Sequence, residues 1–209
     1  MTPRHLALPL ALAALAWIAI PNVRANVPSP AHSTVDPCLR VCPAGDMTFH
    51  VLVRDFSANP VAGSTVVIDL CSCPGVILCP PTGSEPYTLS GGCTVLMPTN
   101  GAGVADLPIR AGGTCRGSAV RVFADGILLT TLTAVSSPDQ NGDATVSAVD
   151  QGILAARLGG PYDPTGDFNC SGALEAGDQA ILAGHLGHSC AAVVPVLPGS
   201  WGRIKTIYR

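Results

Sequence analysis

The chain has 209 residues, a formal net charge of −3 at pH 7 and only 4% aromatic residues. A single lysine and the lack of any basic cluster exclude a nucleic-acid-binding surface, because such surfaces neutralise phosphates with lysine and arginine. The few aromatic rings also argue against a sugar-stacking platform.

Residues 1–25 have the pattern of a secretory signal peptide. Arg4 and His5 precede an apolar run from Leu6 to Ile20, and Val23-Arg24-Ala25 supplies a cleavage site. The alternative is a membrane anchor, but the run of about 15 apolar residues is shorter than the roughly 20 that span a bilayer. We therefore expect a secreted or cell-surface protein with no membrane span in the mature chain.

Residues 46–135 alternate apolar and polar side chains, as half-buried strands do. They follow residues 26–45, which are a linker or a first strand. The alternation is clear at Phe49, Val51 and Val53, and turn clusters such as Ala124-Asp125-Gly126 separate the apolar runs. About 90 residues of this pattern predict an all-β sandwich.

Nine cysteines in an exported chain predict disulfides. Seven lie between Cys38 and Cys115, whereas Cys170 and Cys190 stand apart near the C-terminus. We expect Cys170 to pair with Cys190. One of the other seven then stays free, pairs between chains or lies unoxidised in a core.

Residues 136–190 contain one acidic pattern twice, 28 residues apart. A calcium ion takes six to eight oxygens, and a 12-residue loop offers them at positions 1, 3, 5, 7 and 12. Both copies carry oxygen donors at these positions, so we expect two calcium ions. The predicted ligands are Asp139, Asn141, Asp143, Thr145 and Asp150 in the first loop, and Asp167, Asn169, Ser171, Ala173 and Asp178 in the second.

A short helix is expected after each loop, because apolar residues recur at helical spacing from Ile153 and from Ile181. The apolar eighth positions, Val146 and Leu174, predict a strand-like contact that joins the loops back to back. The alternative is that the Asp, Asn and Gly clusters are simple turns. Two matching copies favour calcium.

The repeated Asp-x-Asn-x-Asp loop with Asp at position 12 resembles the type I dockerin repeat. The resemblance implies a paired loop-helix calcium domain that attaches its chain to a cohesin-like scaffold. The sequence departs from the family pattern at Ala144, where the sixth position usually carries Gly, and at Cys170 and Ser171. It also departs at the positions that select the cohesin partner, which are Ala148-Val149 and Ala176-Gly177.

The segment from Phe49 to Val66 and the stretch Thr99-Asn-Gly-Ala-Gly-Val-Ala105 resemble bacterial immunoglobulin-like domains of the invasin type. This resemblance implies a spacer or adhesive module. The whole chain is therefore expected to be an all-β immunoglobulin-like sandwich plus a small α-helical paired calcium-loop domain, dockerin-like or EF-hand-like, followed by a C-terminal tail at residues 191–209.

No catalytic constellation stands out, so the protein is predicted not to be an enzyme; a small hydrolase is the least favoured class. His185 and His188 could hold a transition metal with Cys190, although polar residues at a helix end are the preferred interpretation. The sequence favours a non-catalytic attachment protein, possible partners being a cohesin-like scaffold or a cell-surface component. The alternative is an adhesin or glycan-binding sandwich that the calcium domain caps.

Overall fold

A computed structural model describes residues 26–190, so the predicted signal peptide at 1–25 and the tail at 191–209 lie outside the described residues. Two α-helices and eleven β-strands form within this range. The helices are α1 (Ala148–Arg157) and α2 (Ala176–Gly184). The strands are β1 (Thr34–Val35), β2 (Leu39–Arg40), β3 (Phe49–Leu52), β4 (Thr65–Asp69), β5 (Ile77–Leu78), β6 (Thr88–Ser90), β7 (Thr94–Pro98), β8 (Val104–Leu107), β9 (Ala111–Gly112), β10 (Cys115–Ala124) and β11 (Ile127–Ser136).

The strands form three sheets. A curled six-stranded sheet has the order β2-β11-β10-β4-β7-β6, and a three-stranded sheet has the order β1-β3-β8. The short strands β5 and β9 pair separately. Strand β2 is parallel to β11, whereas the other pairs are antiparallel.

Alternating side chains from both larger sheets bury one apolar core. Phe49 and Val51 of β3 point inward, while His50 between them is exposed. Val66 and Ile68 of β4 are fully buried in the same core. The predicted alternation is therefore confirmed, and two sheets around one core is the arrangement of a β-sandwich.

The longest hairpin joins β10 and β11 through the predicted turn at Asp125-Gly126. Ala124 pairs with Ile127, so Asp125 and Gly126 alone form the connection. Their φ angles are +48° and +81°. An Asp-Gly pair with both φ angles positive matches the right-handed twist of a hairpin.

The predicted separate helical domain is wrong. Residues 26–190 are mainly β, with only two short helices, and a paired-helix EF-hand-like domain is not seen among them. Leu154 of α1 and Leu182 of α2 pack in a second small core that also contains Met47 and Cys42 from the segment that precedes β3. The helices therefore use side chains of the β region to complete their core instead of closing on themselves.

Four disulfides cross-link the described residues: Cys38–Cys170, Cys71–Cys93, Cys73–Cys115 and Cys79–Cys190. The predicted Cys170–Cys190 bond is wrong, because each of these cysteines instead bonds to a partner in the β region. Cys42 is the free cysteine, and it is buried. Four disulfides are consistent with an exported protein.

Neither helix in residues 26–190 is long and apolar enough to cross a bilayer.

Candidate functional site

Each acidic repeat forms a loop that ends in the first turn of a helix. In the first loop, Ser147 caps α1, and the Asp150 carboxylate accepts hydrogen bonds from the Ser147 amide at 2.8 Å and the Gln140 amide at 2.8 Å. In the second loop, Asp178 accepts from the Glu175 amide at 3.0 Å and the Phe168 amide at 2.7 Å. The last aspartate of each loop thus joins the start of the loop to the start of its helix.

The first aspartate of each loop points into the loop. Asp139 accepts hydrogen bonds from the amides of Gly142 and Ala144, both at 2.8 Å. Asp167 accepts from the amides of Ser171 at 3.0 Å and Gly172 at 2.8 Å. The two loops therefore fold in the same way, as their repeated sequence predicts.

The remaining predicted ligands lie on an exposed rim. In the first loop the Asn141 amide donates to Asp143 Oδ2 at 2.8 Å. In the second, the Asn169 amide donates to Glu175 Oε1 at 3.1 Å, and the Ser171 hydroxyl donates to the Ala173 carbonyl at 3.3 Å. Each loop thus places two buried carboxylates beneath a rim of oxygen donors. The rim residues are Asn141, Asp143 and Thr145 in the first loop, and Asn169, Ser171 and Ala173 in the second.

Each loop has two backbone positions with positive φ, and only one of them is glycine. In the first loop these are Gly142 at +74° and Ala144 at +66°; in the second they are Cys170 at +59° and Gly172 at +79°. Ala144 is thus left-handed at the sixth position, where the family pattern usually carries Gly. A β-carbon in this conformation costs roughly 1–2 kcal/mol, so the loops carry similar strain at different positions.

The buried loop carboxylates have no cationic partner. Asp139, Asp150 and Asp178 are fully buried and Asp167 is 3% exposed, yet none of them is in an ion pair within the described range. Burial raises the pKa of Asp139; amide hydrogen bonds from Gly142 and Ala144 oppose this, and the charges of Asp150 and Asp143 add to it. The side chains that repel one another are those that the repeat pattern predicts as ligands.

The first loop rests directly on the sheet. The Gly113 amide donates to the Asp139 carbonyl at 3.1 Å. A β-carbon on Gly112 would overlap the Asp139 carboxylate. The sequence carries no local signal for this contact, because Gly112 lies in β9, and strands β10 and β11 separate it from the loop.

The loops were predicted to join back to back through a strand-like contact between Val146 and Leu174, and this backbone pairing is wrong. Val146 instead donates to the His188 carbonyl and accepts from the Gly187 amide, both at 2.8 Å. Thr145 and Ser189 form an isolated bridge beside this pair. The first loop is therefore held by the segment that follows α2. The side chains of Val146 and Leu174 do meet the same small core.

No family model, curated protein or solved structure matches this chain. The function proposed below therefore rests on the geometry of the site.

A second group of potential ligands lies between the β region and the end of α2. It contains Cys42, Asp46, His185 and His188. Cys190, the third ligand in the less favoured metal interpretation of His185 and His188, is disulfide-bonded to Cys79 and cannot bind a metal. Burial raises the pKa of the Cys42 thiol; amides at Ala44 and Gly45 oppose this, and Asp46 adds to it. Sequence reasoning missed Cys42 and Asp46, which are distant in the chain from both histidines.

Proposed function

We propose that this protein is a secreted, non-catalytic attachment protein whose two acidic loops each bind one calcium ion. The observation that carries the proposal is the pair of buried, cation-free carboxylates in each loop, Asp139 with Asp150 and Asp167 with Asp178. Buried charges in proteins are generally paired or coordinate a metal. A calcium ion would supply the missing positive charge.

The donor set favours calcium over a transition metal. The ten predicted ligands offer carboxylate, amide, hydroxyl and carbonyl oxygens, and none is a nitrogen or sulfur atom. Calcium prefers oxygen ligands and accepts irregular geometry. The Glu175 carboxylate borders the second loop through Asn169 and would compensate for Ser171, which occupies the position of Asp143 in the first loop.

The charge balance of the repeat region supports the same proposal. Seven acidic residues lie from Asp139 to Asp178, and Arg157 is the one basic residue among them. The Arg157 guanidinium donates to Gln140 Oε1 at 2.7 Å and to Thr165 Oγ1 at 3.1 Å. It also lies 3.6 Å from Asp163, and within residues 26–190 it forms no ion pair with a loop carboxylate. Calcium binding would therefore add stability by relieving repulsion within the folded state.

Attachment is proposed to use the exposed first turns of the two helices. Ala148 and Val149 in α1 and Ala176 and Gly177 in α2 are all exposed, and Val149 is 59% exposed. These turns follow directly from the calcium loops. A scaffold or cell-surface component that contacts them would therefore bind in a calcium-dependent manner, and the sandwich would serve as its spacer.

Thermal unfolding of the purified full chain in calcium and in chelator tests this proposal. We expect calcium to raise the melting temperature. Asp150→Asn and Asp178→Asn should each reduce that rise, because each replaces a buried carboxylate with a neutral isostere. Asp106→Asn is the matched control, since Asp106 lies on an exposed strand position paired with His50. A melting temperature that millimolar calcium does not change would refute the proposal.

A further inference from the structure

Four side chains of metal-binding type converge where the β region meets the end of α2. One ligand atom from each of Cys42, Asp46, His185 and His188 lies within 4.8 Å of all the others. The Asp46 carboxylate is 3.3 Å from His185 Nε2 and 3.3 Å from His188 Nδ1. Cys42 Sγ is 3.6 Å from His188 Nδ1.

Three of the six separations between these ligand atoms match the edges of a zinc tetrahedron. Zinc binds nitrogen and oxygen at about 2.0–2.1 Å and sulfur at about 2.3 Å, so tetrahedral geometry separates nitrogen from oxygen by about 3.3 Å and sulfur from nitrogen by about 3.6 Å. Both nitrogen–oxygen distances and the sulfur–nitrogen distance agree with these values. One thiolate, two imidazoles and one carboxylate form a complete ligand set for zinc.

The orientation of His185 supports a ligand role. His185 Nδ1 lies 2.7 Å from the Ile181 carbonyl, which only accepts hydrogen bonds, so this nitrogen is the donor. His185 Nε2 then faces the Asp46 carboxylate at 3.3 Å and is the ring nitrogen available to bind a metal. Histidines that bind metals commonly donate the second ring nitrogen to a backbone carbonyl.

The surrounding fold holds the four ligands in place. The Cys42 carbonyl accepts hydrogen bonds from Gly45 at 2.9 Å and Ala111 at 3.2 Å, which fixes the turn that carries Asp46. The His188 carbonyl is held by the Val146 amide, as described above. Arg110 spans the two sides, since its guanidinium donates to the carbonyls of Pro43 and Cys190, both at 3.3 Å. The cluster is therefore supported independently of any bound ion.

We propose that Cys42, Asp46, His185 and His188 form a structural zinc site that connects the β region to the end of α2. Cys42 loses its proton to water when zinc binds and coordinates as the thiolate. Asp46 is 44% exposed and His188 30% exposed, so the ion has a path from solvent. The site also accounts for the one cysteine that forms no disulfide. It is separate from the calcium loops, whose donors are all oxygens.

Zinc titration of the chelated full chain, in excess calcium to saturate the acidic loops, tests the site. We expect one zinc ion per chain. Asp46→Asn, His185→Gln and His188→Gln should each weaken zinc binding by at least about tenfold, since loss of even supporting groups costs this much. His50→Gln is the matched control, because His50 forms a similar pair with Asp106 at 2.6 Å but belongs to no group of three or more metal-binding side chains within residues 26–190. That variant should bind zinc as the wild type does.

Cobalt substitution gives a readout that identifies the thiol directly. Wild-type protein should show the thiolate-to-cobalt charge-transfer absorption of a tetrahedral site, and Cys42→Ser should lose that band. If Asp46→Asn keeps the calcium-induced rise in melting temperature, this variant is folded. Any of three results would overturn the proposal: failure to bind zinc, unchanged affinity in the three ligand variants, or a charge-transfer band that survives in Cys42→Ser. The cluster would then serve only as histidine–aspartate ion pairs.

Discussion

Gly112 of β9 lies against Asp139 of the first acidic loop so closely that a β-carbon at residue 112 would overlap the Asp139 carboxylate. Asp139 is also fully buried and has little room to move aside. The sheet therefore forms one wall of the loop, and the loop geometry depends on a residue outside the repeat.

Gly112→Ala is expected to weaken calcium binding at the first loop and to leave the second loop unchanged. Overpacking of this kind destabilises a fold by roughly 1–3 kcal/mol. Titration calorimetry and urea unfolding measure the two effects. Gly101→Ala is the control, because a β-carbon there meets no atom within 4 Å and its φ is not positive. Equal calcium binding by the two variants would contradict the contact.

Ala144→Gly is expected to stabilise the protein by up to about 1 kcal/mol. The substitution relieves a left-handed alanine with φ of +66°, and this gain exceeds the added flexibility of the unfolded chain. Ala102→Gly should have the opposite sign, since Ala102 lies in an exposed turn and is not in the left-handed region. Chemical denaturation of both variants measures the difference. Destabilisation by Ala144→Gly would show that the alanine is not strained.

Glu85 and Arg110 should make stability depend on pH below 5. Their side chains are 7% and 12% exposed and lie 3.0 Å apart. Burial opposes ionisation of Glu85, but hydrogen bonds from Thr82 and Arg110 lower its pKa from 4.5 to about 2. Because the folded-state pKa is depressed, the stabilisation is fully present above pH 4.5 and is lost as the pH falls toward 2.

Glu85→Gln tests this pH dependence. At neutral pH it should destabilise the protein by roughly 1–3 kcal/mol, as expected for loss of a charged hydrogen bond. Its unfolding free energy should also fall less steeply than that of the wild type between pH 4.5 and 2. Unfolding curves collected across this range provide the measurement, and parallel pH profiles would contradict the assignment.

The disulfides should hold both loop-helix segments to the β region. Peptide mapping without reduction is expected to recover Cys38–Cys170 and Cys79–Cys190, and no Cys170–Cys190 peptide. Replacing both Cys38 and Cys170 with serine should cost about 2–5 kcal/mol of unfolding free energy. A recovered Cys170–Cys190 peptide would mean that the two segments are not linked in this way.

Local patterns in the sequence predicted local structure well. The alternation around Val51 predicted a buried strand, and Asp125-Gly126 predicted a turn, because strand burial and turn geometry depend on neighbouring residues. The repeat likewise predicted that Asp139 and Asp167 would fold alike. These are properties of segments a few residues long.

Long-range contacts were not predictable in the same way. Cys170 was expected to pair with the nearest cysteine, but its partner is 132 residues away. Cys42 and His188 meet across 146 residues. The helices were expected to form their own domain, yet Met47 fills part of their core. Nothing in the spacing of a single sequence identifies which distant segments will pack together.

The number of calcium ions bound per chain tests the central claim most directly. Titration calorimetry of the chelated full chain should give two calcium ions, with one lost in Asp150→Asn and the other in Asp178→Asn. The double variant should bind neither ion, while Asp106→Asn should bind both. No calcium binding by the wild type, or two ions bound by the double variant, would contradict the account.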